Sequence, residues 1–164
     1  MKINTTEKII PFNTPLITGK EHEYFLNLIT KLKMSGNAEY TKLCNNWLIN
    51  KTKCESALLT SSCTHSLEMS AFLINIKNGD EIIMPSFTFS STANAFVIRG
   101  AKIIFVDIRP DTMNIDESKI ESAISNKTKA IVPVHYAGVG CEMDSIMEIA
   151  KKYNLYVIED AAQG

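Results

Sequence analysis

The segment Glu159-Asp160-Ala161-Ala162-Gln163-Gly164 carries the most chemistry in this sequence. Val157-Ile158 drives a strand into a core, an acidic pair follows at its end, and the small residues beyond let something approach closely. A buried aspartate needs a positive partner or strong hydrogen bonds. A protonated pyridine nitrogen would meet that need at Asp160, and each unit of pKa the carboxylate added to it would be worth about 1.4 kcal/mol. Keeping that nitrogen protonated makes the ring an electron sink for a carbanion. Without its context, Asp160 reads more simply as the cap of a following helix.

Two other segments have chemistry of their own. Ser61-Ser62-Cys63-Thr64-His65-Ser66 joins a strand to a helix and is rich in small hydroxyl residues. The free N–H groups and dipole of a helix start attract an anion such as phosphate. Simple N-capping by Ser62 or Thr64 explains the same composition. In Pro85-Ser86-Phe87-Thr88-Phe89-Ser90-Ser91-Thr92, two aromatics fall in a loop and could stack on a flat ring. Core packing is the commoner fate of any one aromatic, and one exposed and one buried ring is expected here. Gly138-Val139-Gly140 lacks the third glycine of the dinucleotide fingerprint, because Met143 holds that place. It reads as a flexible loop.

These segments need elements to position them. A first helix is expected from about Lys20 to Lys33, with Phe25, Leu28, Ile29 and Leu32 on one face. A second follows from the spacing of Tyr40, Leu43, Cys44, Trp47 and Leu48, whose aromatics are expected in a core. Strands are expected at Ala57–Thr60, Glu81–Met84, Lys102–Val106, Ala130–Val134 and Leu155–Glu159. Helices lie between them at Thr64–Ile76, Ser91–Arg99, Glu117–Ile124 and Ser145–Tyr153, with Asp116 and Asp144 as caps and Gly100 past a helix end. The alternation implies an α/β sandwich with a largely parallel sheet. Residues 1–50 form a helical lead-in packed on that sheet, and 51–164 form the sheet domain. Ligands then bind beyond the carboxyl ends of the strands, at Ser61–Ser66, Pro85–Thr92, Asp107–Arg109, His135–Gly140 and Asp160–Gly164.

Composition narrows the class. The 164 residues are 45% apolar and 21% charged, with a formal net charge of −1. No basic surface for nucleic acid or membrane is expected. No apolar run is long enough to cross a bilayer, and Met1–Phe12 has no signal-peptide pattern. Cysteines 44, 54, 63 and 141 form no C-x-x-C pair and the histidines are scattered, so no zinc site and reduced thiols in the cytoplasm are expected.

Taken together and in this order, the segments resemble the DegT/DnrJ/EryC1/StrS family of sugar aminotransferases, from Ile10-Pro11-Phe12-Asn13 to Gly164. The stretches from Gly79 to Phe89 and from Val157 to Gln163 carry the resemblance most specifically. Arg109–Asp116 and Pro133–Gly138 resemble the members that act on a dTDP-linked 4-keto-6-deoxyhexose. The resemblance implies a partial fold type I large domain and the cofactor pyridoxal 5'-phosphate. It also implies glutamate as amino donor, a nucleotide-sugar acceptor and a homodimer. It gives Asp160 the pyridine nitrogen, Gln163 the ring's 3-oxygen side, Phe89 the ring face, and Cys63 and Thr64 the phosphate. Cys63 stands where many relatives carry glycine, which implies contact through its backbone and not its sulfur. The family's cofactor-bearing lysine follows the Asp-x-x-Gln segment farther downstream, and Lys127, Lys129, Lys151 and Lys152 are not in its motif. The remaining strands and small domain are likewise beyond this sequence, so these 164 residues alone are expected to be inactive. Two alternatives stand beside this: a Rossmann-type nucleotide-sugar oxidoreductase, and a non-catalytic remnant or partner-binding fragment.

Overall fold

The computed structural model describes residue 11, residues 13–32 and residues 34–164. The chain divides into two compact units, one ending at Leu58 and one running Leu59–Gly164.

The first unit holds α1 (Glu21–Lys31) and α2 (Glu39–Thr52). Helix α1 stops short of Lys33, which lies outside the described residues together with Ile10 and Phe12. Tyr24 and Tyr40 meet edge-on at 5.4 Å, and Lys31 pairs with Glu39 at 2.8 Å. The expected core face is not buried: Phe25 and Trp47 remain 57% and 62% exposed. Two helices enclose too little volume to hide an apolar stripe without a further layer.

The second unit is a three-layer α/β sandwich. It contains α3 (Cys63–Leu73), β1 (Glu81–Pro85), α4 (Ser90–Val97), β2 (Lys102–Val106) and α5 (Glu117–Ile120). It continues with β3 (Thr128–Ile131), α6 (Met143–Tyr153) and β4 (Tyr156–Val157). The strands pair in parallel in the order β2-β1-β3-β4. Strand β1 is central and buried throughout, as the apolar run Ile82–Pro85 requires when both sheet faces are covered. Its side chains alternate: Ile82 and Met84 join Leu67, Ala71 and Phe96 on the α3/α4 face, while Ile83 joins Ile131, Ile120 and Ile146 on the other. Each such burial stabilises the fold by roughly 1.5–3 kcal/mol.

Several expectations need correction. Ala57–Thr60 is not a strand of this sheet, and Leu58 and Leu59 are 63% and 45% exposed. A four-residue apolar run does not reveal whether a neighbour strand exists to pair with it. Asp144 is not the cap of α6; Glu142 holds that position, and Asp144 sits in the first turn, where its charge still suits the helix dipole. Asp116 does cap α5, accepting the Ser118 N–H at 3.2 Å. Gly100 follows α4 at φ +86°, and its N–H closes on the Val97 carbonyl at 2.8 Å. A Cβ there would lie 2.9 Å from the Asn78 backbone, which is why the turn takes glycine.

Candidate active site

The carboxyl ends of the strands and the start of α3 surround a cavity of about 310 Å³. Helix α3 begins where it does because Ser62, extended at φ −162°, accepts the His65 N–H on its hydroxyl at 3.2 Å. The capping and anion-binding readings of this segment therefore coexist. Ser62 caps the third amide, while Cys63 and Thr64, whose N–H groups have no acceptor within the helix, line the cavity. The loop after β1 contributes Thr88 and Phe89, the turn after β3 contributes His135 and Tyr136, and the segment after β4 contributes Asp160 and Gln163. All five residues singled out by resemblance thus meet at one place.

Asp160 is fixed before its side chain is considered. Its N–H donates to the Pro133 carbonyl at 2.9 Å and its carbonyl accepts from His135 at 3.1 Å, a parallel bridge beyond the ends of β3 and β4. The residue is only 5% exposed. Oδ2 accepts from the Thr92 hydroxyl at 2.7 Å, and Oδ1 accepts from the Ala162 N–H at 3.2 Å and the Cys63 thiol at 3.6 Å. Those donors are all neutral, and none of the ion pairs among the described residues includes Asp160. A buried carboxylate held this way favours a cationic N–H entering beside it.

Gln163 is oriented by the opposite wall. Its Oε1 accepts the Ala137 N–H at 2.7 Å, which leaves the amide Nε2–H groups as its donors. Ala137 sits at φ +52°, and its turn is held by Asn114, buried to 2% exposure. Asn114 Nδ2 donates to the carbonyls of Val139 and Gly140, and its Oδ1 accepts the Tyr136 N–H at 2.9 Å. The Gly138-Val139-Gly140 stretch is therefore a pinned turn and not the flexible loop expected from its glycines.

The aromatic expectation is wrong in one half. Phe89 is 76% exposed at the cavity, but Phe87 is not buried either; it is 44% exposed and packs on Tyr136 at 4.9 Å. The sulfur of Cys63 reaches Asp160 Oδ1 at 3.6 Å. Partial burial and then the Asp160 carboxylate push its thiol pKa up. Asp107–Arg109 contributes nothing to the cavity, because Arg109 is tied to Asp111 at 3.0 Å and Glu117 at 3.2 Å, which hold its pKa above the ordinary value. His135 lines the cavity as a satisfied residue: Nδ1 accepts the Cys141 N–H at 3.1 Å, so the proton sits on Nε2, 2.8 Å from Glu159. Among the described residues, none that lines the cavity is a lysine. Sequence reasoning missed the Thr88-x-x-x-Thr92 pair, whose one-turn spacing was the available signal.

The donor set suits a flat heteroaromatic ring that carries an anionic group. Amides at a helix start face the anion, a buried carboxylate faces a ring N–H, an exposed phenyl offers a face, and an amide NH₂ is free to donate to a ring oxygen.

Known proteins fit this geometry. A profile of the DegT/DnrJ/EryC1/StrS aminotransferase family matches residues 19–164. GDP-perosamine synthase of Escherichia coli O157:H7 is 38% identical over 95% of this chain and 43% of its own length. The solved aminotransferase from Psychrobacter cryohalolentis superposes with a TM-score of 0.88 at 31% identity, covering 94% of this chain and 40% of that one. NtdA of Bacillus subtilis, with bound cofactor PMP, gives 0.81 at 37% identity over 96% and 38%. The chain spans 31–43% of the length of the curated relatives it matches. The matched family is one of aminotransferases and not of dinucleotide-binding oxidoreductases.

Proposed function

This chain belongs to the DegT/DnrJ/EryC1/StrS aminotransferase family, and from that premise we propose that Leu59–Gly164 forms the pyridoxal 5'-phosphate cradle of a sugar aminotransferase. The overall reaction moves an amino group from glutamate to a nucleotide-linked 4-keto-6-deoxy sugar. One observation carries the proposal: a buried aspartate held only by neutral donors faces the same cavity as a capped helix start.

The residues divide the work. The Cys63 and Thr64 amides would hold the phosphate, Asp160 the ring nitrogen, Gln163 the ring oxygen through its amide, and Phe89 one face of the ring. When bound, pyridoxal phosphate supplies an electron sink for negative charge that develops on the carbon bearing the transferred amine. Asp160 keeps the ring nitrogen protonated while that happens. His135, locked between Cys141 and Glu159, orients the wall and moves no proton. The exchanging amine would be a lysine's, and none of the described residues that line the cavity is one.

For the sugar, a dTDP-linked 4-keto-6-deoxyhexose is proposed, giving the 4-amino-4,6-dideoxygalactose nucleotide for cell-surface glycans such as enterobacterial common antigen. The likeness of Arg109–Asp116 and Pro133–Gly138 to such transaminases supports it. GDP is the competing nucleotide, because a GDP-perosamine synthase is among the relatives. A cytoplasmic homodimer completes the proposal. Pyridoxal phosphate should produce a saturable absorbance change with the 164-residue chain, with no transfer from glutamate to either nucleotide sugar. Turnover by this polypeptide alone, or no spectral change, would refute the division of labour. Side-by-side assays with dTDP and GDP 4-keto sugars, with these residues in an enzyme supplied with the lysine, decide the nucleotide.

A further inference from the structure

Thr92 is wholly buried on α4, yet its hydroxyl does not turn back to its own helix, the usual habit of a helical threonine. It reaches a partner 68 positions away in sequence, Oδ2 of Asp160, at 2.7 Å. That is the shortest of the three contacts to this carboxylate, beside the amide at 3.2 Å and the thiol at 3.6 Å. Both of the longer contacts fall on Oδ1, so among the described residues Thr92 is the donor recorded for Oδ2. In this bond the Thr92 hydroxyl donates. The Thr88 hydroxyl, 2.8 Å from Thr92, then donates to Thr92 in turn, and Thr88 itself lines the cavity. The chain of donors runs from the cavity wall through the core to the carboxylate, each bond polarising the next.

We propose that Thr92 is a positioning residue for the cofactor: its hydroxyl holds the Asp160 carboxylate in the one orientation that meets the ring nitrogen, with Thr88 as its own support. The inference rests on the assignment of Asp160 to that nitrogen. It adds a residue that touches neither cofactor nor sugar and acts only through Asp160. Removing the donor leaves Oδ2 buried without its partner and the carboxylate free to turn. A hydrogen bond to a charged group is worth enough that the effect on cofactor affinity should be roughly 10- to 100-fold.

The test measures binding of two probes by absorbance titration: pyridoxal phosphate, and its deaza analogue with carbon in place of the ring nitrogen. Four proteins are compared: wild type, Thr92→Val, Thr92→Ser and Asp160→Asn, each checked for an intact thermal transition. Thr92→Val should weaken pyridoxal phosphate by at least about tenfold and leave the analogue within about twofold, since only the former presents the N–H that Asp160 receives. Thr92→Ser, which keeps the hydroxyl, should restore binding and so excludes a packing explanation. Equal weakening of both probes by Thr92→Val, no weakening of either, or failure of Thr92→Ser to restore would overturn the role of Thr92. If Asp160→Asn discriminates between the probes and Thr92→Val does not, the Thr92 inference alone falls. If Asp160→Asn leaves pyridoxal phosphate binding unchanged, the assignment of Asp160 falls and takes the inference with it.

Discussion

Replacing Gly138 by alanine should damage both stability and cofactor binding, while the same change two residues on should do neither. Gly138 has φ +80°, where an L side chain costs about 1–2 kcal/mol. The added Cβ would also stand 3.0 Å from the backbone carbonyl of Gln163, so that segment must give by a few tenths of an ångström. Next to it, Ala137 donates to the Gln163 side chain at 2.7 Å, so the push falls on the residue proposed to reach the ring oxygen. At Gly140 a Cβ meets nothing within 4 Å and the backbone is not left-handed. For a chain of this length each kcal/mol moves Tm by about 2–4 °C, which places Gly138→Ala about 2–8 °C below wild type and Gly140→Ala within about 2 °C. Loss of one neutral hydrogen bond, about 1 kcal/mol, would weaken pyridoxal phosphate about fivefold in Gly138→Ala. Thermal melting and absorbance titration read both quantities. If the two variants behave alike in both assays, the argument that this turn positions Gln163 is wrong.

Other outcomes follow from the same structure. Ser62→Ala removes the α3 cap and should cost about 0.5–2 kcal/mol in denaturant melts, together with weaker binding of inorganic phosphate at the helix start. Iodoacetamide labelling followed by mass spectrometry should find Cys44 and Cys54 first, Cys63, exposed as well but with its thiol pKa pushed up, more slowly, and Cys141 last, because burial pushes that thiol up to about 11 and only the thiolate reacts. Saturating pyridoxal phosphate should slow Cys63 further and leave Cys44 unchanged. The Ser125 hydroxyl, 2.6 Å from Glu81, is the main cause of that carboxyl's pKa lying below 4.5, with the Lys102 charge adding to it against burial. The folded value is depressed, so this stabilisation is present above about pH 4.5 and fades as pH falls through the folded pKa. Ser125→Ala should therefore lower Tm at neutral pH and flatten its fall on acidification; an unchanged acid profile would contradict this.

Much of the cavity is legible in the sequence because its parts are local. Ser62 declares a helix start, Val157-Ile158 declares a strand, and Asp160 follows at the strand's end, so geometry within a few residues places each group. What joins them is not local. The 68-residue reach from Thr92 to Asp160 and the loop that Asn114 ties from 22 to 26 positions away leave no periodic trace, and the glycine pair looks loose until its anchor is seen. The fold shows the same division. The apolar run Ile82–Pro85 of β1 announces a strand covered on both faces, while Ala57–Thr60, equally apolar, forms none. Hydrophobicity records what is able to be buried; neighbours decide what is. Phe25 and Trp47 are the other instance, apolar stripes on helices that no layer among the described residues of their own unit covers.

The central claim concerns one proton, on the ring nitrogen beside Asp160. Nitrogen NMR of isotope-labelled pyridoxal phosphate reads that proton directly from the chemical shift of the ring nitrogen. Bound to the wild-type protein at neutral pH, the nitrogen should be protonated, and in Asp160→Asn it should not. A bound cofactor whose ring nitrogen has the same shift in both proteins would contradict the account at its base.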